Sequence, residues 1–342
     1  MKKSTFAALA VVLLPASIAV TSAQAQAGVE PLKLVKSVSL PGYTGDFDHF
    51  SVDRQRGRFL LAAEDHATLE VFDLKTGNHL NTIKGFGAPH SILIRPGAST
   101  ILVTDSDKMT HILDANTYAE KGSVTLTPGA DSAGYDAASN VYYIVTGGKD
   151  VKMATAKIEA INPDTGKQLG SIEFPDNHVE AMALEKNGPR LFINLAQTNK
   201  LAVVDRKQMK VIATWPVPAA KQNAMVAFDE ANHRLYVVCR DPGMVVVMNS
   251  DNGSVVSTAP APLRSDEVVF NADTHRLYVP GGEGYIGVYD TSDANHVKQI
   301  AKVNSAPGAK TAILLPDLKK MLVAASPGET KNVAKVLTYS VQ

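Results

Sequence analysis

A stretch of about ten residues that recurs along the chain is the feature that most constrains its fold. The clearest copies run over 228–237 and 270–279, and each joins a polar turn to the sequence Arg-Leu-Tyr-Val. Weaker copies begin at Val52 and Leu184, and they lead to Arg58-Phe59-Leu60-Leu61 and to Arg190-Leu191-Phe192-Ile193. Each copy has the pattern of an apolar strand, a turn and a second apolar strand.

A second recurring stretch follows the first and is typical of a tight turn. It is clearest over 71–77, 160–166 and 247–253, where an Asp or Asn precedes a glycine by four residues. The equivalent Asp and Asn positions are Asp73, Asp114, Asn162, Asp205, Asn249 and Asp290. A side-chain oxygen at such a position caps the turn, and glycine supplies the positive φ that closes it.

The repeat predicts the fold class. Each unit of about 44 residues holds four short β-rich segments and no sustained helical period. Four strands per unit is the pattern of a propeller blade, and residues 28–342 accommodate seven units. We therefore predict one all-β domain over 28–342, a seven-bladed β-propeller with four antiparallel strands per blade.

The chain ends predict how the ring closes. The last repeat is one strand short, and the apolar segment over 32–40 has no blade before it. If this N-terminal segment forms the outer strand of the last blade, the two chain ends are joined in one sheet.

Residues 1–27 have the pattern of a secretory signal peptide. Lys2 and Lys3 precede an apolar run over 6–20, and the alternating Ala and Gln residues over 23–27 offer a cleavage site after Ala25 or Ala27. We expect a soluble protein that is periplasmic or secreted, without a membrane span. Cys239 is the only cysteine, so no internal disulfide can form.

The repeated Arg-Leu-Tyr-Val and Asp-x-x-Thr-Gly stretches resemble those of the YVTN/YncE-type family of bacterial β-propellers. The resemblance extends over the whole of 28–342 and implies a propeller fold in an exported or periplasmic protein. Members of that family are often described as binding proteins, including some reported to bind single-stranded DNA. Because the shared residues are architectural, the resemblance implies no particular site residues.

Internal symmetry separates candidate site residues from architectural ones. The position five residues before the aligned turn starts the innermost strand of each blade, and these positions should encircle one mouth of the central channel. They are occupied by Asp48, His90, Asp131, Glu180, Ala224, Asp266 and Thr311. With their neighbours, they give the predicted ligand-binding set of Asp48, His49, His90, Asp131, His178, Glu180, Asn223, Asp266 and Lys310. We expect loops between the second and third strands, such as 64–66, to lie on the same face.

This collection of carboxylates and imidazoles allows three interpretations. They could bond to backbone groups in a purely structural role, or they could line a pocket for a small molecule or protein ligand. They could also hold one divalent metal ion, for which Asp48, His90, Glu180 and Asp266 are the candidate ligands.

The predicted function is an exported binding or scaffold protein, and the alternative is a metal-dependent hydrolase of lactonase type. We assign no catalytic residues, since Ser91 and Ser132 only adjoin His90 and Asp131 on strands whose neighbours face opposite ways. The balance of 34 basic and 34 acidic residues and the acidic mouth with few aromatics argue against nucleic-acid binding. A closed ring has no free edge that demands a partner, so we expect a monomer.

Overall fold

The predicted propeller is present in the computed structural model, which describes Met1 and residues 30–107, 109–328 and 332–342. These residues form 28 strands in seven antiparallel sheets of four strands each. We number the sheets as blades 1–7 in chain order, and within each blade the first strand is innermost. The proposed signal peptide over 1–27 falls almost entirely outside the described residues.

Blades 1–4 follow one another along the chain without crossovers. The strands of blade 1 are β2 (Phe50–Asp53), β3 (Arg58–Ala63), β4 (Thr68–Asp73) and β5 (His79–Lys84). Those of blade 2 are β6 (Pro89–Ile94), β7 (Thr100–Asp105), β8 (Met109–Asp114) and β9 (Glu120–Thr125). Those of blade 3 are β10 (Ala133–Asp136), β11 (Val141–Gly147), β12 (Ala156–Ile161) and β13 (Gln168–Phe174). Those of blade 4 are β14 (Val179–Leu184), β15 (Arg190–Leu195), β16 (Lys200–Asp205) and β17 (Lys210–Pro216).

Blades 5 and 6 repeat this order, and blade 7 combines both chain ends. The strands of blade 5 are β18 (Lys221–Asp229), β19 (Arg234–Asp241), β20 (Gly243–Asn249) and β21 (Val255–Pro260). Those of blade 6 are β22 (Val269–Asn271), β23 (Arg276–Gly281), β24 (Tyr285–Asp290) and β25 (Lys298–Asn304). Those of blade 7 are β26 (Ala309–Leu315), β27 (Lys320–Ala325), β28 (Ala334–Val341) and β1 (Leu32–Leu40). Two short 3₁₀ turns occupy Lys149–Val151 and Pro316–Leu318.

The N-terminal strand closes the ring as predicted. β1 pairs antiparallel with β28 from Leu32 opposite Val341 to Leu40 opposite Ala334, and it forms the outer strand of blade 7. The inner strands β2 and β26 also contact each other across the same seam. Both chain ends are therefore held in a single sheet.

The recurring Asp and Asn residues cap turns, which confirms the sequence interpretation. Asp73 Oδ1 accepts a hydrogen bond from the backbone N–H of Thr76 at 2.6 Å, and Asn249 Oδ1 accepts one from Asp251 at 2.7 Å. Gly77 follows with φ of 69°, a conformation that favours glycine. The repeated stretch is thus a repeated turn between the third and outer strands.

The core lies between the blades. Seven clusters of buried apolar residues in the described chain each join two adjacent sheets, and one of them joins blades 7 and 1. In that cluster the rings of Phe59 and Phe72 stack at 4.8 Å and pack with Leu40 and Leu322 from blade 7. Each blade is therefore stabilised on both faces by its neighbours, as expected for a closed ring.

Every outer strand carries a one-residue bulge. The pairing of the outer strand with its neighbour skips one residue in all seven blades. The skipped residues are Val35, Leu80, Lys121, Leu169, Ile212, Val256 and Ile300. Bulges twist the outer strand and interrupt its free edge, which hinders pairing with another molecule.

None of the helical segments in the described part of the chain combines the length and the apolar character that crossing a bilayer requires.

The role of β1 in closure predicts that two side-chain substitutions in this strand change the free energy of unfolding by different amounts. Leu32 is 1% exposed within the core between blades 6 and 7, so Leu32→Ala should lower the free energy of unfolding by about 2–4 kcal/mol. Val35 is the exposed bulge residue of the same strand, so Val35→Ala should change it by less than about 0.5 kcal/mol. Urea denaturation measures both, and equal small effects would show that β1 contributes little to closure.

Candidate functional site

A cavity of about 640 Å³ opens at one mouth of the central channel. It is lined by residues at the starts of the inner strands and by loops between second and third strands, the two sets expected on this face. Of the predicted ligand-binding residues, the cavity is lined by Asp48, His49, His90, Asp131, His178, Glu180, Asp266 and Lys310. Internal symmetry therefore located a set of side chains that the fold brings together.

Asn223 does not line this cavity. Its side chain is fully buried, and its Nδ2 donates to Asn194 Oδ1 at 2.7 Å and to the Lys200 carbonyl at 2.8 Å. The amide thus ties β18 to neighbouring blade 4 and has the structural role that the sequence left open.

Asp48 lies at the centre of the acidic side of the mouth. Its backbone N–H donates to the Ala62 carbonyl at 2.9 Å, which fixes the loop before β2 against β3. One carboxylate oxygen pairs with Nδ1 of His49, and the other lies 2.6 Å from Nδ1 of His90. Burial alone would raise the pKa of Asp48, but the two imidazoles outweigh it and hold that pKa well below its usual range.

The same contacts act in the opposite direction on the imidazoles. Burial lowers the pKa of His49 and His90, but the facing Asp48 carboxylate outweighs burial and raises both well above the ordinary histidine value. Asp131 adds to the effect, since its Oδ1 lies 3.6 Å from Nδ1 of His90. Both histidines are therefore protonated at neutral pH in the metal-free protein.

Glu64 completes a group of three metal-ligand types. It follows β3 in the loop that leads to β4, and donor atoms of Asp48, Glu64 and His90 all lie within 4.8 Å of one another. Burial and the neighbouring carboxylates raise the pKa of Glu64 to about 7. Two carboxylates and one imidazole at this separation can bind a divalent transition ion.

The four predicted metal ligands fall into two groups. Asp48 and His90 are in direct contact, whereas Glu180 and Asp266 are bridged by Arg240, whose Nη1 lies 3.0 Å from Glu180. His178 Nε2 also lies 2.6 Å from Glu180 Oε1. Glu180 and Asp266 are therefore already neutralised by protein cations, which leaves Glu64 as the carboxylate placed beside Asp48 and His90.

Lys310 joins the seam between blades 7 and 1 to this network. Its Nζ lies 2.5 Å from Asp266 and 2.9 Å from Asp46, and these carboxylates outweigh burial and raise its pKa. Lys310 is consequently a fixed positive charge that links blades 6, 7 and 1.

Positive and negative side chains alternate from blade to blade around the mouth. Because the number of blades is odd, the alternation fails at one position. From blade 4 the order is Glu180, Arg240, Asp266 and Lys310, then the two carboxylates Asp46 and Asp48 of blade 1, and then His90 and Asp131 of blades 2 and 3. The next residue is Glu180 again, so two carboxylates are neighbours. Burial raises the pKa of Asp131 to about 6, and the negative charges of Asp48 and Glu180 add to this effect. The like-charged step in this order therefore lies between blades 3 and 4.

A Ser-His-Asp arrangement also appears at the mouth, through a serine not considered as a candidate. His90 Nε2 lies 2.7 Å from Ser106 Oγ, while Nδ1 of the same ring faces Asp48. A general base must be neutral to take a proton, yet the raised pKa of His90 keeps its ring protonated at neutral pH. The ring therefore donates to Ser106, and this contact positions His90.

Sequence reasoning missed Glu64, Ser106 and Arg240 as members of the site. All three lie in or beside the loops between second and third strands, which the strand order placed on the mouth face. The position of these residues in or beside the loops was therefore a signal that the sequence offered. The sequence did not indicate the direction in which each side chain extends.

The raised pKa of Glu64 predicts a pH-dependent stabilisation. A raised pKa in the folded state means that the fold favours the protonated form of Glu64. The resulting contribution to stability is present below the unfolded pKa of 4.5, and it is lost as the pH rises through the folded value of about 7. In chelator-treated protein, Glu64→Gln should therefore raise the free energy of unfolding at pH 8 by roughly 1–2 kcal/mol and change it little at pH 5.

Glu173→Gln is the matched control, because Glu173 lies exposed on outer strand β13. Denaturant unfolding at both pH values measures the effect. The electrostatic account is wrong if Glu64→Gln destabilises the protein equally at pH 5 and pH 8.

Comparison with known proteins agrees with the repeat pattern. No protein-family model matches the chain. An uncharacterized protein named YncE from Salmonella typhimurium strain LT2 is 25% identical over 197 residues, which cover 56% of this chain and 53% of the relative. The protein of the same name from Salmonella typhi is 24% identical over the same length. The matched region spans about half the length of these curated relatives.

The fold is also found among solved structures. A chain from the crystal structure of a mitotic checkpoint complex superposes with a TM-score of 0.72, and the match covers 99% of both chains at 13% identity. At that identity the likeness shows the fold alone. The YncE relatives and the seven four-stranded blades agree with the resemblance carried by the repeats. The chain is a seven-bladed β-propeller that is similar in sequence to the YncE proteins over about half of its length.

Proposed function

We propose that this protein is an exported binding propeller that holds one divalent transition-metal ion at the channel mouth and presents it to a small polar ligand. The observation that carries the proposal is the convergence of Asp48, Glu64 and His90 donor atoms within 4.8 Å of one another. These side chains come from blades 1 and 2 and line a cavity large enough for a ligand beside the ion.

The donor types favour a transition ion over calcium or magnesium. Imidazole nitrogen together with carboxylate oxygen suits zinc and its neighbours, whereas calcium and magnesium prefer oxygen alone. Three protein donors fill only part of a coordination sphere, so the remaining positions are available to water or ligand.

The surroundings also favour a cation at this position. Asp131 adds a third carboxylate on this side of the cavity, with its Oδ1 3.6 Å from Nδ1 of His90. On the opposite side, Arg240 and Lys310 neutralise Glu180, Asp266 and Asp46. A divalent ion between Asp48 and Glu64 would supply positive charge among the carboxylates Asp48, Glu64 and Asp131.

Zinc titration of chelator-treated protein tests the site. We expect one equivalent of zinc to bind by isothermal titration calorimetry, and Glu64→Gln or His90→Gln to weaken binding by roughly tenfold or more, since each removes one donor. His296→Gln serves as the control, because His296 pairs with Asp293 on an exposed outer turn.

Equal loss of affinity in the control and the site variants would contradict the proposed ligands. So would the absence of stoichiometric binding by folded wild-type protein.

A metal-dependent hydrolase of lactonase type is the second candidate. It is favoured by Asp131, a carboxylate that lines the same cavity 3.6 Å from His90 and could accept a proton from water activated by the ion. Lactone hydrolysis that is lost both on chelation and in Asp131→Asn, while zinc still binds to the variant, would support the enzyme. Zinc binding without hydrolysis of any lactone in a panel of ring sizes would leave the binding function as the better description.

Export is part of the proposal and has its own test. Lys2, Lys3 and the apolar run over 6–20 should direct secretion, with cleavage after Ala25 or Ala27. In a bacterial host, the full chain should yield a periplasmic or secreted protein whose N-terminus is Gln26 or Gly28. A variant beginning at residue 28 after an initiating Met should remain in the cytoplasm. An uncleaved cytoplasmic full-length product would contradict export.

A further inference from the structure

We propose that the seam between blades 7 and 1 binds a small tetrahedral oxyanion, of the phosphate or sulfate class, through Lys36, Lys75 and Lys320. The three lysines line a cavity of about 220 Å³ between the two blades, and the other residues that line it are uncharged. Sites for drug-sized ligands measure roughly 300–1,000 Å³, so this cavity suits a small ion. The site is separate from the channel mouth and does not depend on the proposed function.

The cavity lies on the face of the propeller opposite the channel mouth. Strand β4 begins beside the mouth and ends at Asp73, so the turn over 74–78 that follows it is on the far face. Lys75 belongs to this turn of blade 1, whereas Lys36 lies on β1 and Lys320 begins β27, both in blade 7. The three cations therefore come from both sides of the junction at which the ring closes.

Two of the ammonium groups are held at fixed positions on this turn. Lys36 Nζ donates to the Thr76 carbonyl and to Asn78 Oδ1, each at 2.5 Å. Lys320 Nζ donates to the carbonyls of residues 74 and 75, at 3.2 Å and 3.1 Å. Neighbouring Cα atoms are only about 3.8 Å apart, so both ammonium groups contact the same short stretch of backbone. Each ammonium has three N–H donors, so these contacts in the described chain leave one donor on each for a ligand.

The positive charge at this seam is not paired with a carboxylate. Among the residues that the structure describes, none of the three lysines forms an ion pair with Asp or Glu, whereas Lys121 and Lys310 do. Asp73, the carboxylate of the turn itself, accepts hydrogen bonds from the backbone N–H and the hydroxyl of Thr76 at 2.6 Å and 2.7 Å, and it does not line the cavity. Three positive charges thus surround a cavity that has no acidic lining residue.

Comparison of the blades shows that Lys36 is specific to the closing seam. It is the residue that follows the bulge in the outer strand, and blade 7 alone has a charged side chain at this position. The equivalent residues of blades 1–6 are Asn81, Gly122, Gly170, Ala213, Ser257 and Ala301. The repeat therefore does not require a lysine here.

The turn position of Lys75 also departs from what another seam uses. Lys75 lies two residues after the capping aspartate, and the equivalent residue of blade 5 is Asp251. Asp251 pairs at 3.5 Å with Arg190, which begins the second strand of the preceding blade. Lys320 begins the second strand of blade 7 in the same way, but the turn that it contacts carries Lys75 in place of an acid. A bound oxyanion would supply here the negative charge that Asp251 supplies between blades 4 and 5.

The types of cation favour phosphate or sulfate over a carboxylate. A lysine ammonium binds phosphate as a point charge, whereas the planar carboxylate is best matched by the two parallel N–H groups of an arginine. All three cations of the cavity are lysines. A divalent tetrahedral ion also offers more charge and more acceptor oxygens to three ammonium groups than one carboxylate does.

Calorimetric titration of the folded, chelator-treated protein with inorganic phosphate, at constant ionic strength, tests the site. We expect one equivalent of phosphate to bind, and acetate to bind at least roughly tenfold more weakly. Lys75→Glu should weaken phosphate binding by about tenfold or more, because the new carboxylate repels the anion and pairs with Lys320. Since Lys75 is exposed, this variant should fold like the wild type.

Lys207→Glu is the matched control. Lys207 occupies the same exposed turn position in blade 4, but it does not line the cavity, and the second strand of the preceding blade begins with Val141 in place of a cation. This variant should bind phosphate within about twofold of wild type. A second pair tests the blade 7 side of the seam: Lys36→Gln should weaken binding by roughly tenfold, whereas Lys33→Gln on the same strand should not.

Phosphate should also stabilise the closed ring, because a ligand that binds only the folded state raises its stability. The rise in melting temperature with phosphate should be larger for wild type and Lys207→Glu than for Lys75→Glu. An equal rise in all three would be the general effect of the salt and would contradict the site. The inference is also overturned if folded wild-type protein does not bind phosphate, if acetate binds as tightly, or if the two site variants bind phosphate as tightly as their controls.

Discussion

The pairing of β1 with β28 is the interaction on which the rest of the structure depends. It places the N-terminal strand in the same sheet as the C-terminal strand, so blade 7 is complete only when both ends of the chain have docked. The apolar cluster between blades 7 and 1 then forms across the seam. The chain has one cysteine and thus no internal disulfide, so packing, hydrogen bonds and ion pairs such as Lys310–Asp46 hold this closure.

Closure also creates the candidate site, because the side chains at the mouth come from several different blades. Asp46 and Lys310 are 264 positions apart in sequence, yet their side chains bond at 2.9 Å across the seam. Asp48 and His90 meet at 2.6 Å from adjacent blades. Seven is an odd number, so alternating charges cannot close perfectly and leave two like charges side by side. The donor atoms of Asp48, Glu64 and His90 favour a cation, while Arg264 near blade 6 has no carboxylate partner in the described chain.

Much of the fold was predictable because the same requirements for strands and turns recur in each of the seven repeats. The turn formed by Asp73 and Gly77 needs a side-chain oxygen and a positive φ, and both requirements are visible in residue types. The missing strand of the last repeat revealed the closure by β1. The bulges on the outer strands were not predictable. A skipped residue such as Leu80 shifts the strand register, but it alters the alternation of apolar and polar residues too little to be recognised in the sequence.

The site was only partly predictable for a different reason. Equivalent positions in successive blades pointed to Asp48, His90, Asp131 and Glu180, since symmetry fixes where an inner strand begins. Symmetry does not determine which side chains pair with one another. The pairing of Arg240 with Glu180 and the burial of Asn223 beside Asn194 depend on side-chain directions between blades, which no single repeat encodes. Glu64 lay in a loop expected on this face, but only the fold places it beside Asp48 and His90.

The central claim is that the mouth of the channel holds a metal ion between blades 1 and 2. Its most direct test is a crystal structure of the chelator-treated protein supplied with one equivalent of zinc, with anomalous data collected on both sides of the zinc absorption edge. The account predicts one strong anomalous peak in contact with Asp48, Glu64 and His90. A peak at any other position, or full occupancy of the mouth by water with no anomalous signal, would contradict it.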